Sequence, residues 1–209
     1  MSNEEVYFNN HSNAVRWPFT IYHKPIEDKF LELIGTHTKE KTCLNIGCGF
    51  FGNYPSFKNT QRLWHACDID PRCLDVVNTR YPEIETKLCH DFPPYDDESF
   101  DIIVSSEVIE HIPDAKPWLQ RVYSLLKPGG ISIMSTPNYG GILLPSIEYT
   151  FLEIVARLRG FTRFGIHTNK YSETKLFEQL KATSQNDDEV FVEKCSWGMV
   201  LIGVIKKAA

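Results

Sequence analysis

A short, largely apolar run, Lys41-Thr-Cys-Leu-Asn-Ile46, leads directly into Gly47-Cys48-Gly49-Phe50-Phe51-Gly52. A strand that empties into glycines turns tightly and lets backbone approach a ligand closely. A second run, Leu63-Trp-His-Ala-Cys-Asp68, ends in a carboxylate 21 positions after Gly47. A carboxylate at that place can accept both hydroxyl protons of a ribose diol. Glycine loop and carboxylate together point to an open α/β sheet with a nucleotide-like ligand at the carboxyl ends of its strands.

The rest of the chain keeps that alternation. A helix is expected from Pro71, with Leu74 and Val77 on one face and Asp70 as its cap. Ile84 to Cys89 reads as a weak third strand and Phe100 to Ser105 as a fourth, apolar enough to be buried on both faces. Trp118, Val122, Leu125 and Leu126 recur at helical spacing over Asp114 to Leu126. Lys127-Pro-Gly-Gly130 is expected to end that helix in a turn before a fifth strand, Ile131 to Ser135. Asp101 is expected to start a strand and order a turn. Ser172 to Lys181 is a further helix. Val190 to Lys194 and Met199 to Ile205 are joined too tightly for a parallel crossover, so they should be antiparallel. The expected fold class is α/β, a doubly wound Rossmann-like seven-stranded sheet, mostly parallel with an antiparallel C-terminal strand. Residues 1–40 are expected to form an amino-terminal helical or lid segment, and 41–209 a single domain with a lid or substrate-binding insertion at about 140–170.

Composition narrows the class. At 209 residues and 42% hydrophobic content the chain can bury a core without disulfide staples, since folding at this size hides about 70% of the unfolded surface. A net charge of −5 argues against a protein that coats nucleic acid. The acidic start, MSNEE, resembles neither a secretory signal nor a transit peptide, and no run is long enough for a membrane span. Six cysteines without a Cys-x-x-Cys pair read as reduced thiols, so a cytoplasmic protein is expected.

Two cofactors share the glycine-loop geometry, a nicotinamide dinucleotide and S-adenosylmethionine. Gly-x-Gly-x-x-Gly taken literally favours the first, and Tyr171-Ser-Glu-Thr-Lys175 matches the Tyr-x-x-x-Lys of short-chain dehydrogenases. That family would want a serine or threonine about a dozen residues before the tyrosine, where Leu158 and Arg159 stand, and would have the tyrosine inside a helix. Six other pieces stand in order: Leu44-Asn-Ile-Gly-Cys-Gly49, Cys67-Asp-Ile-Asp-Pro71, His90-Asp-Phe-Pro93, Ser99 through Ile112 with Ser-Ser-Glu-Val-Ile-Glu-His, Leu125-Leu-Lys-Pro-Gly-Gly130 and Ser135-Thr-Pro-Asn138. Over roughly Thr42 to Asn138 the chain resembles the class I S-adenosylmethionine-dependent methyltransferases, of the type with a ubiquinone-biosynthesis-like core.

The resemblance implies S-adenosylmethionine as cofactor and assigns roles. Backbone at Gly47, Cys48 and Gly49 would pack on the methionyl part and ribose, Asp68 would take the ribose hydroxyls, and Ile69 would lie on the adenine. Asp91 would accept from the adenine amino group and the Phe92 backbone would meet the ring. Ser105, Ser106 and Glu107 would face the methionyl end and the acceptor. The family usually carries an acidic residue where Asn45 stands, so that contact would be neutral here. Its third glycine usually comes one residue earlier than Gly52, and only Asn53 to Gln61 precedes the second strand, so the first crossover helix should be short.

The acceptor is expected to be a small molecule, with no nucleic acid and no metal. Glu107 and Glu110 lie three apart with no metal-binding partner such as a second histidine at i+4. Candidate general bases are His167 first, then His111, Tyr171 and His23. His111 serves equally as a structural histidine, and Trp17, Phe19 and Tyr22 as lid or as packing. The segment Gly140 to Lys170 is aromatic (Tyr139 beside it, Tyr149, Phe151, Phe161, Phe164) and basic (Arg157, Arg159, Arg163, Lys170), with Ile147, Phe151, Ile154 and Leu158 at helical spacing. It reads as an amphipathic lid over the acceptor or as a helix packed on the domain. Alternatives to a methyltransferase are a nicotinamide-dependent oxidoreductase and a non-catalytic S-adenosylmethionine-binding protein. Oligomeric state is left open.

Overall fold

In the computed structural model, residues 19–35, 40–58, 62–158 and 167–209 are described. In chain order the elements are α1 (Phe19–Ile34), β1 (Lys41–Ile46), α2 (Tyr54–Lys58), β2 (Arg62–Asp68), α3 (Pro71–Arg80), β3 (Glu85–Leu88), β4 (Phe100–Ser106), α4 (Ala115–Ser124), β5 (Leu126–Pro137), α5 (Leu143–Ile147), α6 (Glu153–Leu158), α7 (Glu173–Thr183), β6 (Glu189–Cys195) and β7 (Val200–Lys206). A π-helical turn, Glu148–Leu152, joins α5 to α6, and a 3₁₀ turn, Ile109–His111, follows β4. Trp17 and residues 159–166 of the insertion lie outside the described residues.

The strands hydrogen-bond in the order β3-β2-β1-β4-β5-β7-β6. The first five run parallel, and β7 is antiparallel to both β5 and β6. The expected class therefore holds, with the antiparallel strand inserted beside β5 rather than added at the edge. The chain builds outward from β1 to β3, then returns to β4 on the other side of β1. Strand order reverses between β1 and β4, and in open α/β sheets ligands bind beyond the carboxyl ends of strands at such a point.

Helices cover both faces, which is why the central strands are apolar throughout. On one face Leu44 and Ile103 pack with Trp118, Leu119 and Val122 of α4 and Leu176 and Leu180 of α7. On the other, Cys43, Ile102 and Val104 pack with Phe57, Trp64, Val77 and the α1 stripe Ile26, Phe30 and Ile34. Local signals set the helix starts. The side chains of Asp70, Asp114 and Ser172 accept from the amides of Arg72, Lys116 and Lys175, each capping its helix. The first crossover helix, α2, has only five residues.

One expectation is corrected. Lys127-Pro-Gly-Gly130 does not separate helix from strand, because β5 begins at Leu126 and carries the four residues as an irregularity. Phe100 pairs with Leu126 but Ile102 pairs with Ile131, so β5 bulges against Asp101. A Cβ on Gly130 would lie 2.8 Å from the Lys127 carbonyl oxygen, so the bulge needs glycine there. Asp101 ties the irregularity down: its carboxylate accepts from the Thr42 amide at 3.0 Å and from Lys127 Nζ at 3.0 Å. The helical run expected within the insertion is present over 143–158, with much of its apolar stripe facing solvent. Ile154 is 60% and Leu158 83% exposed, whereas Leu144, Glu148, Glu153 and Ala156 are buried.

Candidate active site

The glycine loop begins at the switch point. Gly47 and Gly49 have φ of +66° and +50°, in the left-handed region that disfavours side chains. A Cβ on Gly47 would come within 2.4 Å of Val108 Cγ2, so the loop and the segment after β4 are in close contact. The amides of Gly47 and Cys48 donate to the Cys67 carbonyl, and the Gly49 amide donates to Asp68 Oδ2 at 2.8 Å. Asp68 Oδ1 accepts from the Asp70 amide at 2.9 Å. The buried carboxylate of Asp68 is thus fixed by two backbone donors, and each oxygen retains a lone pair for a further donor. Asn45 is buried beneath, at the end of β1, and burial pushes the Cys48 thiol up, so it stays neutral.

Beyond Asp68 the surface is apolar. Ile69 is 72% and Phe92 44% exposed. The loop that carries Asp91 and Phe92 is held across β2. The Cys89 amide donates to the Asp68 carbonyl at 2.8 Å, and Tyr95 Oη donates to the Ala66 carbonyl at 3.2 Å. A buried diol acceptor beside two exposed apolar side chains suits the ribose and flat base of an adenosine group.

The ends of β4 and β5 form the other half. Ser106 and Ser135 hydroxyls are 2.9 Å apart, and the Glu107 amide donates to the Ser135 carbonyl at 3.0 Å. Glu107 has φ of +56°, and such a conformation costs a non-glycine residue about 1–2 kcal/mol. It holds Glu107 toward α1, where Tyr22 Oη donates to its Oε1 at 2.6 Å. Burial, then the charge of Glu107, pushes the Tyr22 phenol well above its ordinary value. Ser196 Oγ donates to the Tyr22 carbonyl at 2.8 Å, so the amino-terminal helix is pinned at this end of the sheet.

Next to Glu107 sits a cluster that no local motif announces. Glu110 is 1% exposed, and its Oε2 accepts from Thr136 Oγ1 at 3.0 Å. Among the described residues its Oε1 has no hydrogen-bond partner. Burial, reinforced by the charge of Glu107, pushes its carboxyl well above the usual carboxylate range. Donor atoms of Glu110, His111 and His167 all lie within 4.8 Å of one another. The His111 and His167 rings meet edge to face with centroids 5.1 Å apart. His167 Nδ1 is 2.5 Å from Tyr139 Oη, which in turn donates to Glu148 Oε2 at 2.6 Å. Lys170 Nζ donates to Tyr149 Oη at 2.6 Å and lies over the Tyr139 ring.

Residues 44–134 match the model of the methyltransferase domain family. A probable S-adenosylmethionine-dependent methyltransferase of Mycolicibacterium smegmatis is 30% identical over 96 residues, covering 46% of this chain and 37% of that protein. The mitochondrial ubiquinone biosynthesis O-methyltransferase of Bos taurus is 30% identical over 155 residues, covering 64% of this chain and 38% of its own. The chain thus spans under half the length of these relatives. A S-adenosylmethionine-dependent methyltransferase structure from Aquifex aeolicus shares the fold with a TM-score of 0.66 at 14% identity, over 95% of this chain and 97% of that one. Over residues 44–134 the chain matches the methyltransferase domain family, and its fold is that of an S-adenosylmethionine-dependent methyltransferase structure. The Asp68 end of the crevice combines a carboxylate acceptor with exposed apolar side chains, a set that fits an adenosyl group.

Within this methyltransferase fold the sequence-derived candidates separate cleanly. His111 and His167 come together, although they are 56 positions apart. Tyr171 does not join them. It is 1% exposed, its hydroxyl donates to Gln179 Oε1 at 3.1 Å, and burial pushes its phenol up. Lys175 lies over the Tyr171 ring rather than beside its hydroxyl, so the dehydrogenase-like spacing is coincidence. His23 packs edge-on against Tyr22. Sequence reading missed Glu110 as a buried acid and Glu148 as a partner of Tyr139. No local pattern marks either one, because the partners lie on other elements. Among the described residues no helix is long and apolar enough to cross a membrane, and the six cysteines are free.

Proposed function

We propose that the chain transfers a methyl group to a small molecule that presents an O–H or N–H nucleophile, with His167 as general base. The observation that carries this reading is the meeting of His167, His111 and Glu110 next to Glu107, at the carboxyl ends of β4 and β5. S-adenosylmethionine, when bound, supplies a methyl group on a positively charged sulfur. Asp68 would hold the ribose hydroxyls, the Gly47 to Gly49 backbone the methionyl part, Ile69 and Phe92 the adenine faces, and Asp91 its amino group. Glu107 and Ser106 would border the methyl end. The acceptor's proton goes to His167 as its oxygen or nitrogen attacks the methyl carbon on the side opposite the sulfur. Orientation and water exclusion in such a site supply up to ~7–11 kcal/mol of the barrier. A positioned base typically adds ~10²–10⁴-fold. The exposed apolar residues of the run 143–158 and the aromatic rings of Tyr139 and Tyr149 support a lid that covers an apolar or anionic acceptor. The name of the bovine relative, a ubiquinone biosynthesis O-methyltransferase, supports a small-molecule acceptor.

The test is transfer of labelled methyl into an ultrafiltered small-molecule extract. A labelled product should form with the wild-type chain, disappear with Asp68→Ala, and fall by about 10²-fold or more with His167→Gln. S-adenosylhomocysteine binding without any labelled product would favour the non-catalytic binding protein. Binding of NADH in its place would favour the oxidoreductase.

A second reading gives the same three side chains a divalent cation. Their 4.8 Å spacing and the unpartnered Oε1 of Glu110 favour it. Calorimetric titration with zinc or magnesium ions would detect a site that Glu110→Gln and His167→Gln both abolish.

A further inference from the structure

Tyr139 Oη stands between two groups and has one proton to give. Glu148 is 3% exposed and its Oε2 is 2.6 Å away; His167 Nδ1 is 2.5 Å away on the other side. Tyr139 Oη donates to Glu148 Oε2, so its one proton is committed on that side. The phenol oxygen then faces Nδ1 as an acceptor, and Nδ1 must carry a proton to fill that contact. In a neutral imidazole the lone pair is then on Nε2. From this geometry we infer that Tyr139 and Glu148 are positioning residues, which lock His167 in the Nδ1–H form and so make Nε2 its reactive nitrogen. The inference rests on the reading of His167 as the acceptor-side base and names what orients it.

The elements involved explain why this lock needs the whole fold. Tyr139 follows β5 and is tied to the strand-like segment before α7, its amide donating to the Tyr171 carbonyl at 2.7 Å. Glu148 opens the π-helical turn of the insertion, and π turns are frequent where a helix must re-aim a side chain for function. His167 enters from the far end of the insertion. Among the described residues, Glu110 and His111 on the 3₁₀ turn approach the His167 ring, while Lys170, bonded to Tyr149, lies over the Tyr139 ring. The arrangement follows the rule that a hydrogen bond at one ring nitrogen decides the chemistry of the other. It also couples lid and base, since Glu148 belongs to the lid run.

The experiment is nitrogen-15 NMR of histidine-labelled protein, at a pH where imidazole is neutral and with S-adenosylhomocysteine present. His167→Gln identifies the resonance. Wild-type His167 should show a protonated Nδ1 and an unprotonated Nε2. Tyr139→Phe should return it to the Nε2–H form that free imidazole prefers, and Glu148→Gln should give a mixture, with S-adenosylhomocysteine affinity within about twofold of wild type in both. An Nε2–H or doubly protonated His167 in the wild type, or a tautomer unchanged in both variants, overturns the inference. The wild-type spectrum decides even if a variant does not fold. Failure of the methyltransferase reading appears separately, as lack of S-adenosylhomocysteine binding or of labelled product with an intact Nδ1–H signal.

Discussion

Replacing Asp68 with asparagine tests the cofactor half of the crevice by changing one atom. The aspartate oxygens accept from the amides of Gly49 at 2.8 Å and Asp70 at 2.9 Å. An asparagine offers one oxygen, so its NH₂ must face one of those amides, donor against donor. The charge is lost as well, in a side chain that is only 8% exposed. A hydrogen bond to a charged group contributes about 1.5–3 kcal/mol, and a buried donor left without a partner costs about 1–3 kcal/mol. The loop should therefore lose roughly 2–3 kcal/mol of stability. The ribose hydroxyls would lose one acceptor outright and the charge on the other. At about 3 kcal/mol, S-adenosylhomocysteine affinity should drop by about 10²-fold. Calorimetric titration with S-adenosylhomocysteine measures this directly, with circular dichroism to verify folding. A folded Asp68→Asn chain that binds within about threefold of wild type would refute the role given to this carboxylate.

Gly47→Ala places a Cβ at 2.4 Å from Val108 and at φ of +66°; thermal unfolding should show a loss of about 2–4 kcal/mol, part of it recovered by adding Val108→Ala. Glu110 has a carboxyl pushed up by burial, so between its ordinary value and its raised value the folded chain holds a proton that the unfolded chain has released. Its stabilising contribution is therefore full in acid and declines as pH rises. Glu110→Gln removes that decline, and urea unfolding should find the variant gaining on wild type from pH 5 to pH 8. Tyr22→Phe removes the 2.6 Å bond to Glu107 and should cost about 1.5–3 kcal/mol; equal midpoints for wild type and variant in urea would count against a pinned amino-terminal helix.

The order of elements could be read from residues 41 to 135 because each signal there is local. Apolar runs bounded by Gly47 or Asp68, the cap at Asp70 and the helical period through Trp118 and Val122 all act within a few residues. The pairing of the glycine loop with Asp68 was legible for the same reason, because a tight turn and a strand-end carboxylate are set by local backbone shape. The Lys127 to Gly130 reading failed because those residues favour a turn locally, yet the ladder with β4 and the Asp101 contact hold them in β5. The direction of the apolar stripe in the run 143–158 stayed open in the sequence, because periodicity reveals that a helix is amphipathic, not which side its neighbours cover.

What the chain determined on its own was the sheet, its helices and the placing of the glycine loop and Asp68 at the switch point. Tertiary structure decided the acceptor end. Glu107, Glu110, Thr136, Tyr139, Glu148 and His167 come from β4, β5 and the insertion, and they meet only because the parallel strands end at one edge. The protonation of Glu110 and the tautomer of His167 follow from burial and from a partner's position. Neither is a property of any residue's neighbours in sequence.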